Sequence, residues 1–209
     1  YPSWYSSGRF VAFSVNSTFQ LFHTKDPKRI EVYDEASDVV VYDVANHEIV
    51  SSPILSTEGA FETFPTFSPD GKWLYFCSSK AVTMPINYAQ ARYSLCRTSF
   101  NPETRQFGEA IDTLYSAFKQ GGSVSFPRVS PNGDCLVFTL SNYGQFSIWH
   151  KEADLYRLDL NSGEVAPLTA WNSGDTESYH SWSSNGRWMI FSSRRDDGLY
   201  TRPYIGYIA

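Results

Sequence analysis

The sequence is short of cysteine, of net charge and of long apolar runs, and each shortage closes off a class of protein. Three cysteines in 209 residues, Cys77, Cys96 and Cys135, are too few and odd in number for a disulfide framework, and none has a CxxC partner or a histidine at metal-ligand spacing. Cys77 and Cys96 fall on neighbouring expected strands, which leaves one bridge geometrically open beside the common fate of free cysteines as small buried hydrophobes. No stretch approaches the roughly 18 apolar residues of a membrane helix, so no membrane insertion is expected. The opening Tyr1-Pro2-Ser3-Trp4 lacks the charged start and apolar run of a signal peptide, and the chain reads as soluble, either intracellular or already processed.

A net charge of −5, with no run of five like charges, presents no field for a phosphate backbone, so nucleic acid is not an expected partner. Recognisable catalytic patterns are missing too. There is no G-x-S-x-G elbow, HExxH, P-loop or GxGxxG after a strand. The four histidines, His23, His47, His150 and His180, are dispersed. These gaps lead us to expect no catalytic residues, no cofactor and no metal.

What the chain does have is aromatic side chains and turn formers. Phe, Tyr and Trp make up 17% of the residues, there are only two Met, and Gly and Pro number 13 and 11. That mixture suits pleated, half-buried strands and tight turns better than helices.

The same turn recurs four times. Pro2-Ser-Trp-Tyr-Ser-Ser-Gly8-Arg-Phe-Val-Ala-Phe13, Pro65-Thr-Phe-Ser-Pro-Asp-Gly71-Lys-Trp-Leu-Tyr-Phe76, Pro127-Arg-Val-Ser-Pro-Asn-Gly133-Asp-Cys-Leu-Val-Phe138 and His180-Ser-Trp-Ser-Ser-Asn-Gly186-Arg-Trp-Met-Ile-Phe191 align on a glycine with a Phe five residues later. The glycines are 63, 62 and 53 residues apart, a period long enough for four strands and generous loops. Ser-Gly, Asp-Gly and Asn-Gly are dipeptides that reverse one strand into the next, because Gly takes positive φ without a Cβ clash. The strand after each turn is apolar at almost every position, as in Trp73-Leu74-Tyr75-Phe76, so both its faces are buried. Parallel α/β sheets also do this, but they need crossover helices that the sequence does not offer. Sheets stacked face to face are what remains.

The segment Phe64-Pro-Thr-Phe-Ser-Pro-Asp-Gly-Lys-Trp-Leu-Tyr-Phe76 resembles the PD40, or WD40-like, repeat of TolB-like propellers, and the likeness runs through essentially the whole chain. The resemblance implies an all-β fold of four propeller blades, near residues 1–58, 59–120, 121–173 and 174–209, the first three complete and the fourth truncated. It also implies an open arc of a larger ring of six to eight blades. The same repeat occurs in periplasmic TolB proteins, in the propellers of prolyl-oligopeptidase-like peptidases and in some polysaccharide lyases, so it specifies fold better than function. Three readings follow. One is a non-catalytic binding scaffold of the bacterial cell envelope, periplasmic by that resemblance. A second is the propeller of a serine peptidase whose catalytic domain lies outside this chain. The third is a lyase-like carbohydrate enzyme; such lyases bear metal sites built from histidines of several blades, and here only His180 lies on an inner strand.

In a four-stranded blade the second-to-third and blade-to-blade connections share one side, and here they are the long ones, 16–37, 79–93, 142–153 and 193–199 among them. A protein, small-molecule or glycan ligand is expected on that loop-rich face. Candidate contacts are the basic cluster His23, Lys25, Lys28 and Arg29, able to hold an anionic group, and the segment Tyr143-Gly-Gln-Phe146-Ser-Ile-Trp149-His150-Lys151, whose aromatics and histidine are able to stack on a sugar or peptide. Solvated charge and packing between blades are their plainer alternatives. The fourth repeat departs from the others by placing His180 where they have Pro2, Pro65 and Pro127. With Arg194, Arg195, Asp196 and Asp197 it is expected to form either a polar site at the mouth of a central channel or a structural charge network.

Overall fold

Each repeat pivots on its glycine. In the computed structural model, which describes residues 2–208, Gly8, Gly71, Gly133 and Gly186 take φ of 75°, 72°, 77° and 68°. In the second repeat the Gly71 N–H donates to the Ser68 carbonyl at 2.9 Å, while the Ser68 hydroxyl donates to Asp70 at 2.6 Å and accepts the Trp73 N–H at 3.0 Å. A Cβ on Gly71 would also run into the ring of Tyr5 in the preceding repeat, so both the backbone and its neighbour demand glycine.

From these turns the strands build four antiparallel sheets in simple meander order. The first holds β1 (Ser3–Trp4), β2 (Phe10–Phe22), β3 (Ile30–Asp43) and β4 (Glu48–Val50). The second holds β5 (Ala60–Phe67), β6 (Trp73–Lys80), β7 (Ser94–Asn101) and β8 (Gln106–Phe107), with β9 (Asp112–Tyr115) also on β7. The third holds β10 (Ser123–Val129), β11 (Cys135–Ser141), β12 (Asp154–Asp159) and β13 (Val165–Pro167), and the fourth β14 (Glu177–Trp182), β15 (Trp188–Ser193) and β16 (Arg202–Tyr207). Apart from one turn of helix, α1 (Ala117–Gln120), and a 3-10 turn at Tyr88–Gln90, the regular structure is β. The arrangement is a four-blade β-propeller. No described helix is long and apolar enough to cross a membrane.

The second strand of each blade shows how the blades stack, because its alternate residues face opposite neighbours. Phe10 and Ala12 of blade 1 pack on Leu74 and Phe76 of blade 2; Tyr75 and Cys77 pack on Leu136 and Phe138; Val137 packs on Met189 and Phe191. Four blades thus enclose three apolar layers among the described residues, where each fully buried Phe or Leu contributes about 1.5–3 kcal/mol. The outward faces of the end blades stay open. Phe13 is only half-buried, unlike its equivalents Phe76, Phe138 and Phe191, because no sheet covers that face of blade 1. Likewise Trp188 and Ile190 are exposed on blade 4. Cys77 and Cys96 are free and buried on opposite faces of blade 2, in separate apolar layers, which rules out a bridge.

One expected loop is largely strand. Residues 16–37 continue β2 and β3 as a paired ribbon with a bulge at Ser17/Thr18, reaching Phe22 and Ile30. Its polar residues hid the alternation, which surfaces in Phe19 stacked on Tyr33 at 5.7 Å.

Candidate functional site

The inner strands carry an irregularity that the repeat alignment contains in plain view. β5, β10 and β14 lose register between Thr63 and Thr66, Ser125 and Arg128, and Ser178 and Ser181. At each bulge an aromatic residue adopts left-handed backbone: Phe64 at φ 53°, Phe126 at 53° and Tyr179 at 50°, a conformation that costs a non-glycine residue free energy and is held by its surroundings. The three rings form a column, with centroids 4.4 Å apart from Phe64 to Phe126 and 4.7 Å from Phe126 to Tyr179. The corresponding Tyr1 of the first repeat lies outside the described residues.

This bulge corrects the reading of His180. Pro65, Pro127 and His180 all follow the aromatic inside the unpaired stretch, so proline forfeits no ladder bond there and histidine restores none. Nor does His180 open onto a channel. It is 2% exposed, and its Nε2 donates to the Val137 carbonyl of blade 3 at 2.9 Å. Burial holds its pKa down at about 4, so the ring is neutral.

The arginine and aspartate candidates are engaged within the fold. Arg194, 3% exposed, stacks 3.5 Å over the Trp149 ring and donates to the carbonyls of Ile148 and Gly198. Arg195 pairs with the fully buried Glu177 at 3.1 Å and donates to the Trp171 carbonyl. Glu177 also accepts the hydroxyls of Ser173 and Ser193, at 2.6 and 2.7 Å. Asp196 and Asp197 both hold Arg202, at 2.5 and 2.9 Å. Of the two arrangements read from the sequence, the charge network is the one present.

The four second-to-third connections converge. The blade-1 ribbon leans across blade 2 onto the 142–153 segment of blade 3. There Lys28 donates to the Tyr143 hydroxyl at 2.7 Å, that hydroxyl donates to Glu31 at 2.6 Å, and His150 Nε2 lies 3.1 Å from the other Glu31 oxygen. Glu31 is 3% and His150 0% exposed, so His150 clamps the ribbon and has no surface to stack on a ligand. Tyr88 of blade 2 packs on Tyr33 and Tyr143, at 5.7 and 5.9 Å. Trp149 sits half-buried between Arg194 and Arg29, the latter 5.9 Å away. Lys25 and Arg29 are exposed and His23 is half-buried.

Beneath the ribbon lies a pocket of about 230 Å³. Asn16 and Thr18 of β2, Gln145 and Phe146 of the blade-3 segment, and the Phe64–Phe126–Tyr179 column line it. Behind it Asp34 is fully buried. Asn16, Ser37, Tyr93 and Gln145 surround its carboxylate, yet neither oxygen has a partner in hydrogen-bond geometry among the described residues, and burial pushes its pKa up to about 6. No group of three His, Cys, Asp or Glu residues placed to hold a metal ion is present among the described residues.

Sequence reasoning missed Asn16, Glu31 and Asp34, and reached Gln145 and Phe146 only as part of the aromatic segment 143–151. The available signal was the aromatic that precedes each aligned Pro or His: Phe64, Phe126 and Tyr179.

No family model and no curated protein matches this chain. Solved structures do. A puromycin-hydrolysing peptidase of Mycobacterium tuberculosis aligns at TM-score 0.58 and 13% identity over 100% of this chain and 37% of its own. Hydrazine synthase of Kuenenia stuttgartiensis aligns at 0.51 and 13% over 98% of this chain and 49% of its own. An oligogalacturonate lyase in complex with manganese aligns at 0.50 and 15% over 92% of this chain and 49% of its own. This chain therefore spans less than half the length of each. At such identities the likeness is one of fold.

Proposed function

We propose that this propeller is a non-catalytic binding scaffold that takes a protein or small-molecule ligand on its loop-rich face. One observation carries the reading: the second-to-third connections of the blades meet on one face, and those of blades 1 and 3 enclose a pocket over the inner strands. A rigid scaffold presenting converged, irregular segments is how repeat folds make recognition surfaces. The groups lining the pocket are amides, hydroxyls, aromatic rings and the Val32 side chain, which orient a ligand but do not shuttle protons near neutral pH. A bacterial cell-envelope setting rests on the resemblance of the repeat to TolB-like propellers.

The test is an array of peptides and glycans probed with the wild-type chain, with a loop-face variant (Lys25→Ala, Arg29→Ala, Phe146→Ala) and with a variant on the opposite, turn-bearing face (Lys72→Ala, Arg187→Ala). Ligands lost only by the loop-face variant support the reading. Ligands lost only by the turn-face variant, or time-dependent turnover that a single Ser or His substitution abolishes, overturn it.

A further inference from the structure

The pocket under the blade-1 ribbon has a chemistry specific enough to name a ligand class. None of its lining side chains is charged. The nearby cations are engaged: Lys28 donates to Tyr143, and Arg194 is spent on Trp149 and two carbonyls. An anionic ligand would be desolvated there without a counter-charge, which is costly.

The Ser14 and Thr63 hydroxyls bond to each other at 3.3 Å, while the other polar groups, the Asn16 and Gln145 amides and the Thr18 and Tyr179 hydroxyls, each both donate and accept. Such groups match a ligand whose own polar atoms do both, as sugar hydroxyls do. A peptide backbone instead presents fixed donors and acceptors that seek a sheet edge. Apart from Val32, the apolar part of the pocket is aromatic. Phe146 and Tyr179 are half-buried, beside the more deeply buried Phe64 and Phe126. A flat ring surface accommodates the C–H face of a pyranose while the rim takes its hydroxyls. The volume of about 230 Å³ lies below the roughly 300–1,000 Å³ of sites for drug-sized ligands, and so admits one ring rather than a chain. Asp34 is buried behind Asn16 and Gln145.

We propose, building on the binding reading above, that this pocket takes a single uncharged pyranose ring, either a free sugar or one residue of a neutral glycan. Asn16 and Gln145 bind its hydroxyls, and Phe146 with Tyr179 receives its C–H face.

Saturation-transfer difference NMR and titration calorimetry test this with the methyl pyranosides of glucose, galactose and mannose, with N-acetylglucosamine, and with glucuronate and galacturonate as anionic counterparts. At least one neutral sugar is expected to bind with a Kd of about 10 mM or tighter, with transfer strongest at its ring C–H protons. Asn16→Ala and Phe146→Ala should each weaken it tenfold or more. Both side chains lie in the outer part of the pocket, and an unchanged melting temperature confirms that each variant is folded. The uronates should bind at least tenfold more weakly than the neutral sugar. Binding of none of the neutral sugars, uronate binding of equal strength, or affinities untouched by both substitutions overturns the proposal. Array ligands that still depend on the loop face would then leave the binding reading standing without its sugar.

Discussion

Glu31 of blade 1 and Tyr143 of blade 3 lie 112 residues apart in sequence and 2.6 Å apart in space, the phenol donating to the carboxylate. Burial, reinforced by that bond, pushes the Tyr143 pKa up, so it stays a donor throughout the working pH range. The contact fastens the blade-1 ribbon over the pocket, and Lys28 depends on the same hydroxyl.

Tyr143→Phe keeps the ring, whose centroid lies 4.2 Å from the Lys28 ammonium, but removes the Lys28 hydrogen bond and leaves a buried Glu31 oxygen short of a donor. A cost of about 1–3 kcal/mol is expected. Because this contact ties the ribbon to blade 3, the ribbon amides from 18 to 33 should exchange faster while those of β6 and β11 do not. Unchanged exchange in the ribbon would show that the clamp does not hold it.

His180→Ala and Arg195→Ala should each lower the melting temperature by several degrees and leave any pocket ligand bound as before. The first removes the link to the Val137 carbonyl; the second strands the carboxylate of Glu177. Acid should find the first weakness too. With the folded pKa of His180 held near 4, below the ordinary value of about 6.5, the unfolded chain takes the proton first, so this residue's contribution is intact above pH 6.5 and is lost as pH falls toward 4. His180→Gln should flatten that part of the profile. Melts of the two alanine variants indistinguishable from wild type would restore a site at the fourth blade.

The repeat, its glycine turns and the buried second strands could be read from the sequence because they rest on local chemistry: a residue that tolerates positive φ, and apolar residues on both faces of a strand. Phe13 shows where that reasoning stops. Its side chain repeats those of Phe76 and Phe138, but its burial depends on whether another sheet lies beside it. The site was harder still. Glu31, Tyr143 and His150 come from different blades, and no spacing in the chain announces that a ribbon of polar residues will cross to meet them. His180 misled because its departure from proline looked chemical, whereas the bulge makes the two residues interchangeable to the ladder.

Two buried carboxyls predict a second pH effect of opposite sign. Burial raises Asp34 to about 6 and Glu62 to about 7, so the folded state holds protons that the unfolded state has released. Their contribution is whole below about pH 4, the ordinary carboxyl range, and declines as pH rises through 6 to 7. Asp34→Asn should therefore raise stability at pH 8 by an amount on the order of 2–3 kcal/mol and make little difference at pH 4. A variant equally or less stable at pH 8 would mean that Asp34 is paired and ionised in the fold.

The last prediction contrasts the two faces of one strand. On β15, Met189 and Phe191 point into the layer shared with blade 3 and are 0% and 3% exposed, while Ile190 between them is 54% exposed. Ile190 faces its cross-strand partner Ile205, 65% exposed, and Trp188 meets Tyr207 edge-on at 4.9 Å. Phe191→Ala should cost about 3–5 kcal/mol by leaving a cavity against Trp171 and Tyr204, which stack on it. Ile190→Thr with Ile205→Thr keeps β-branched side chains on a surface already wet, so the melting temperature should hardly move. What it should change is association, because an exposed apolar sheet face is a contact surface for another copy. Sedimentation velocity across a concentration series should show less self-association in the double threonine variant than in the wild-type chain. A double variant as destabilised as Phe191→Ala would mean that the outer face of blade 4 is covered, and the three-layer account of the stack would fail with it.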